Sequence, residues 1–451
     1  MNTVQARIIF FIYAFASYSL AAQPTEPVAE SLNKYFQSAT DKKWFAGSVL
    51  IYKNSKVILS KGYGMADIEN NVLNAPSTKF RIASVTKQFT SALVMALQEE
   101  GVLNVNDPIQ IYFQDFPNAN RITIHHLLSH TSGIMELSTL KEIDSLTLNP
   151  LSIDFYINYV RNKPLDFEPG SKFKYSNTGY MMLTRIIEKA TGKSYIDFLT
   201  EKVLVPLNMT STGLDDTENI VTHRARGYYL NNRGEIKNAP YVHLPTLGGA
   251  GALHSTTEDL LKWCLAIQQK KILKPASWDS ILKPNLGNYG YGHFITEINK
   301  RNVIMHGGSV QGFASQFIYY PNDNAVIIIL KNIENTPRIF NAQGMTQTVL
   351  FGEPYIFPAD RKSVMLSQDV IKSIVGEYEF KQGFKMTITN DNSRIFVEIQ
   401  GQPKLEAFAE NETALFFKDI EASCIIQKTN NETTGLTLKQ GGREFISRKV
   451  K

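Results

Sequence analysis

The sequence predicts an α+β fold in two units: an antiparallel sheet flanked by helices and carrying a helical subdomain, then a small all-β domain. Two patterns carry this reading. Strand-like stretches lie at both ends of residues 28–350 with helical stretches between them, which makes one mixed sheet with a helical insertion. After position 360, about 90 residues alternate short strands with turns, as in a small barrel or sandwich. The composition agrees. With 451 residues, 43% hydrophobic and 20% charged, the chain is globular and long enough for two cores. The expected divisions are 1–22, 23–357 and 358–451.

Residues 1–22 read as a signal peptide. Arg7 supplies the positive start, Ile8–Ala22 is an apolar run ending in small residues, and Ser19-Leu20-Ala21 or the Ala22-Gln23 junction suits a signal peptidase. The run is short for a membrane span and Pro24 follows it, so no stable span is expected after cleavage. The alternative is an uncleaved anchor. Export, to a periplasm or the exterior, is the expected destination.

Residues 28–40 are expected to be helical. Gly47–Tyr52 and Lys56–Ser60 form a hairpin about a Lys53-Asn54-Ser55 turn. A helix beginning at Ser84 places Phe89, Leu93, Val94 and Leu97 on its apolar face and ends at Gly101. Residues 121–205 are mostly helical, punctuated by Pro164, Pro169-Gly170 and Gly179. Strands return at Tyr291–Thr296, Asn302–Met305, Ala314–Tyr320 and Ala325–Leu330. The second unit begins near Pro358, with strands such as Lys385–Thr389, Ile395–Ile399, Ala414–Lys418, Cys424–Gln427 and Thr434–Leu438.

Charge and cysteine usage exclude some classes of function. Lysine and arginine total 47 against 42 acids, a formal +5, but the cations are scattered singly, so a nucleic-acid partner is not expected. Cys264 and Cys424, far apart and in apolar patterns, read as buried fillers, with an interdomain disulfide as the alternative. His126 and His130 have the spacing of a zinc helix but lack the glutamate of H-E-x-x-H, so His130 is expected to be structural. Gly307-Gly308-Ser309-Val310-Gln311 fails as a nucleophile elbow, because strands flank it on both sides.

The chemistry lies in three short motifs. Ser84-Val85-Thr86-Lys87 at a helix start puts a hydroxyl one turn from an amine on the same face, near the positive end of the helix dipole. Serine needs such a neighbouring base to attack a carbonyl. Tyr175-Ser176-Asn177 lies in a turn-rich segment whose side chains can project into a cleft. His306-Gly307-Gly308-Ser309 follows one strand and precedes another, and its glycines let a substrate approach a strand edge.

Together these resemble the S-x-x-K, Y-x-N and K/H-x-G elements of the penicillin-recognising serine hydrolases, most of all the class C β-lactamase-related branch. Phe80-Arg81-Ile82-Ala83-Ser84, Leu127–Gly133, Phe167-Glu168-Pro169-Gly170 and Gly248-Gly249-Ala250-Gly251 with Ser255–Leu260 are similar to the same branch. The resemblance spans roughly residues 28–350 and implies a β-lactamase/transpeptidase-like fold. More weakly, Leu366–Tyr378 and the strands beyond resemble an appended lipocalin-like barrel.

The resemblance also implies roles. Ser84 forms an acyl-enzyme, and Lys87 and Tyr175 share the base work through a mutual hydrogen bond. Both residues ordinarily titrate near pH 10, so one must be perturbed. Asn177 binds a substrate carbonyl. The backbone N–H groups of Ser84 and Ser309 form the oxyanion hole, with Gly308 beside them. Water completes the cycle, and no metal or cofactor is required. His306 stands where β-lactamases of this branch usually carry lysine, and imidazole is a weaker, pH-dependent anchor for a substrate carboxylate.

The expected function is a serine hydrolase acting on a small molecule or peptide: a short ester, or a D-amino-acid amide or peptide, ahead of a β-lactam. The alternatives are a true β-lactamase or D-Ala-D-Ala carboxypeptidase, and a catalytically idle relative that binds cell-wall peptide or a protein partner. Cavity walls are expected from 135–150, 210–245 and 285–295. The sequence gives no oligomeric state.

Overall fold

The computed structural model describes residues 27–450, apart from 140–145, 147, 216–217, 232, 337–340, 354–360, 402–403, 419–421, 431 and 441–442. The leader and the 357/358 boundary therefore lie outside the described residues.

The chain enters through α1 (Val28–Asp41) and a hairpin of β1 (Gly47–Lys53) and β2 (Lys56–Tyr63). It crosses a helical region with α2 (Thr86–Glu99), α3 (Ile124–Leu128), α4 (Asn177–Thr191) and α5 (Thr257–Gln268). It then returns through β3 (Phe294–Ile298), β4 (Arg301–Val310), β5 (Phe313–Tyr320) and β6 (Ala325–Lys331). These six strands form one antiparallel sheet in the order β3-β4-β5-β6-β1-β2. The central β1 and β6 are apolar on both faces because both faces are covered, so their sequences run without alternation. One face packs α1 and α6 (Ala342–Leu350) through Phe36, Val49, Ile327 and Met345. The other packs the helical subdomain through Phe89, Leu93, Ile328 and Leu330.

Helix α2 departs from the expected one-sided pattern: every residue from Thr86 to Leu97 is buried. It runs between sheet and helical subdomain, so its polar side chains find partners inside. Thr90 Oγ1 donates to Gly249 O, Ser91 pairs with the Tyr180 hydroxyl, and Gln88 Oε1 accepts from the Trp263 indole.

A short helix α7 (Gln368–Ile374) leads into an eight-stranded closed barrel. Its strands are β7 (Gly376–Phe380), β8 (Lys385–Asp391), β9 (Arg394–Ile399), β10 (Leu405–Asn411), β11 (Ala414–Phe417), β12 (Ala422–Thr429), β13 (Glu432–Gln440) and β14 (Arg443–Lys449). Its core is separate and includes Tyr378, Ile388, Leu415 and Leu436. Cys424 is buried in this barrel and Cys264 in α5, and both are free thiols as read from their apolar surroundings.

Two local readings are corrected. The first returning strand, β3, is Phe294–Ile298 and not 291–296, because Gly292 takes φ +72 and closes a turn first. His306–Ser309 lies inside β4 and not after a strand, because the hairpin turn comes later, at Gln311-Gly312.

Phe89 is fully buried and its ring stacks on Trp263 with centroids 4.4 Å apart. Phe89→Ala should cost about 3–5 kcal/mol. A thermal melt of the purified variant, lower than wild type by several degrees, is the expected measurement.

Candidate active site

A short strand, Phe80-Arg81, pairs with Leu253–Ser255 and delivers the chain to a 3-10 turn, Ala83–Val85, immediately before α2. Ser84 is therefore not in the first α-helical turn but in the tighter turn preceding it. Ala83 there takes φ +45, a strained conformation for a residue with a side chain. Lys87, the second residue of α2, is fully buried. Its Nζ lies 3.1 Å from Ser84 Oγ, 2.7 Å from Asn177 Oδ1 and 2.5 Å from Ala250 O. Burial pulls its pKa down to about 7, against an opposing attraction from Glu136.

Tyr175 is placed differently from the expectation. The Lys87 ammonium sits over its ring, 4.9 Å from the centroid, and no hydrogen bond joins the two. The Tyr175 hydroxyl is buried facing Ser84, and burial drives its pKa up. Of the two groups, the amine is the one moved toward neutrality at pH 7.

Asn177 is the first residue of α4, with Ser176 as its N-cap. Its amide points inward: Oδ1 accepts from Lys87, and Nδ2 donates to Glu136 Oε1 at 2.7 Å. The protein thus engages Oδ1 and one of the two Nδ2 hydrogens, and the second hydrogen is the one left for the expected contact with a substrate carbonyl.

His306 is buried and engaged at both nitrogens. Nδ1 lies 2.6 Å from Gly307 O, an acceptor, so it carries the proton and Nε2 accepts from the Tyr289 hydroxyl at 3.0 Å. Burial, then Lys87, push its pKa down to about 3. The imidazole stays neutral at physiological pH, so the expected pH-dependent carboxylate anchor is not what the structure holds.

Strand β4 lies directly on the nucleophile turn. A Cβ at Gly308 would fall 2.3 Å from Ile82 O and 2.9 Å from Ser84 N, which only glycine permits. β3 pairs with β4 only as far as Met305, leaving residues 306–310 as an open edge. The Gly307 carbonyl turns away from β5 to reach His306, and strand alternation turns the Ser309 N–H the same way. The Ser309 hydroxyl is tied to Glu334 at 2.8 Å.

Beside Ser84 is a cavity of about 570 Å³, lined by Tyr175, Phe294, His306, Gly307, Lys331 and Asn341 among others. Of the expected wall segments, only 285–295 contributes among the described residues, through Phe294.

His130 has the structural role expected of it, while sequence reasoning missed Glu136. His130 is buried with φ +57. Its Nδ1 accepts from Ser176 N at 3.1 Å and its ring packs 4.2 Å from Tyr175, so it holds the Y-x-N segment in place. Glu136 accepts from the backbone N–H groups of Asn177 and Thr178. Glu136 lies three residues beyond the Leu127–Gly133 phrase, and one sequence does not say that such a residue points inward.

The beta-lactamase family profile matches residues 32–349. A penicillin-binding protein of Bacillus subtilis (strain 168) is 28% identical over 439 residues, covering 92% of this chain and 97% of that protein. A teichoic acid D-alanine hydrolase of Staphylococcus aureus is 30% identical over 319 residues, covering 70% of this chain and 76% of that protein. The octameric penicillin-binding protein homologue of Pyrococcus abyssi superposes with a TM-score of 0.66 at 23% identity, over 93% of this chain and 99% of that one.

Two measurements test the geometry. An amine base acts only when neutral, so kcat/KM should rise with pH through a midpoint near 7 as Lys87 loses its proton. His306, already neutral, should add no limb between about pH 5 and 8. Gly308→Ala should lower the rate by about 100-fold or more by displacing the Ser84 turn from β4, and the melting temperature should fall with it, because the added methyl meets backbone.

Proposed function

The chain belongs to the beta-lactamase family, and from that premise we propose that it hydrolyses esters or amides of D-alanine and related D-amino acids through an acyl-serine at Ser84. One observation carries the reading: a serine hydroxyl 3.1 Å from a fully buried lysine amine whose pKa lies at about 7. Ser84 Oγ attacks the carbonyl carbon while Lys87 accepts its proton. The carbonyl oxygen is received by the N–H groups of Ser84 and Ser309, each such donor being worth ~10²–10³ in rate. The proton then passes from Lys87 to the departing alcohol or amine, and water releases the acyl group by the reverse route.

The preference for esters and amides over β-lactams rests on His306. A neutral imidazole closed off by Tyr289 and Gly307 offers no fixed cation to a β-lactam carboxylate. The relative named for D-alanine removal from teichoic acid supports the same substrate class. One observation favours a second reading, D-Ala-D-Ala carboxypeptidase or β-lactamase: Lys331 places a cation on the cavity wall.

A panel of p-nitrophenyl esters, D-amino-acid amides, D-Ala-D-Ala peptides and nitrocefin decides between them. Esters or D-amino-acid amides should be turned over fastest, and Ser84→Ala should abolish all turnover. A nitrocefin rate far above the others would reverse the assignment. We also propose export through the 1–22 leader; the secreted protein should begin at Gln23, as read by intact mass.

A further inference from the structure

The Glu136 carboxylate is 5% exposed and receives four N–H groups. Asn177 N (2.5 Å) and Thr178 N (3.4 Å) donate to Oε2, and Asn177 Nδ2 (2.7 Å) and Ser138 N (3.3 Å) donate to Oε1. No ion pair within 4 Å involves it among the described residues. A carboxylate only accepts, so it fixes which end of the Asn177 amide faces it. Nδ2 must point to Glu136, and Oδ1 is thereby left facing Lys87 at 2.7 Å.

We propose that Glu136 is a positioning residue for the reaction, holding the Asn177 amide in the one orientation that presents an acceptor to the proton Lys87 takes from Ser84. The inference rests on the acyl-serine reading above and adds to it the group that organises proton transfer. When the Ser84 O–H bond breaks, the proton joins Lys87 Nζ, the Oγ electron pair forms the bond to the carbonyl carbon, and the carbonyl π pair moves to oxygen. The resulting ammonium needs acceptors in a dry site, and it has Asn177 Oδ1 and Ala250 O. An unrestrained amide could turn its NH₂ toward the cation and oppose its formation. Glu136 forbids that turn.

The titratable groups facing Lys87 come from every element around it: Tyr175, Tyr180 of α4, His130 after α3, His306 of β4, and Glu136. The two histidines are held neutral by burial and the two tyrosines are held as phenols. Glu136 is the one acid among them, and its attraction favours the protonated lysine. Removing it therefore both frees the amide and withdraws that attraction.

The test is the pH dependence of Ser84 labelling by a fluorophosphonate, which reads nucleophile activation without needing the natural substrate. Wild type, E136Q, E136D, N177A and E136Q/N177A are compared, each with a thermal melt. E136Q should lose about 10²-fold in plateau rate, and its acid-limb midpoint should move about half a unit or more to lower pH. E136D should stay within about tenfold of wild type and keep its midpoint. The double variant should lose no more than the worse single one, as expected for two residues acting as one unit. If E136Q does not fold, the E136D midpoint and the N177A plateau carry the comparison.

An E136Q profile with plateau and midpoint unmoved, or losses that simply add in the double variant, would overturn the proposal while leaving the acyl-serine reading intact. So would an E136Q defect confined to KM for amine-bearing substrates, because that places Glu136 against substrate and not behind Asn177. Wild type that labels at no pH would sink the acyl-serine reading, and this proposal with it.

Discussion

A lysine amine kept out of water is the constraint on which the rest of the site depends. Lys87 is useful as a base only because burial disfavours its charged form, and burial of an amine is tolerable only when its hydrogen bonds are met. Its three partners come from three distant parts of the chain: the turn at Ser84, the start of α4 at Asn177, and the glycine-rich segment at Ala250. The sandwiching of α2 between sheet and helical subdomain, the strained Ala83 and the buried His130 all serve to bring these three together.

Much of this was legible from the residues. The two-unit α+β organisation followed from where strand and helix patterns fell, and the three motifs identified Ser84, Lys87, Tyr175 and Asn177 as one constellation. What the sequence did not carry were properties of three-dimensional enclosure. The burial of α2 on all sides is not written in its periodicity, since Thr86, Gln88 and Thr90 look like surface residues until Gly249 and Trp263 arrive from elsewhere. Glu136 and His130 are single polar residues whose roles depend on a helix that begins some forty positions later.

The same distinction explains the changed view of His306 and Tyr175. As residue types they suggested a titrating anchor and a shared base. Enclosure alters both. Tyr289 and the Gly307 carbonyl occupy the two imidazole nitrogens, and burial beside Lys87 suppresses its protonation. Tyr175 presents its ring to the ammonium and keeps its phenol proton, so it faces Ser84 as a potential donor. The chemistry of a side chain here is set as much by what surrounds it as by what it is.

The open edge of β4 has a cost that the barrel does not share. Eight strands closed on themselves leave no ladder unpaired, whereas β4 from His306 to Val310 presents unpaired backbone groups because β3 stops at Met305. Such an edge invites a second chain to add to it, and proteins usually blunt the hazard with charge, proline or a covering loop. None of these can be placed over residues 306–310 without closing the cavity beside Ser84. The stretch is instead short and contains two glycines, which are poor strand formers. The catalytic edge is thus protected against self-association by its brevity and its paired glycines, a form of protection that leaves room for a small guest and little for another protein.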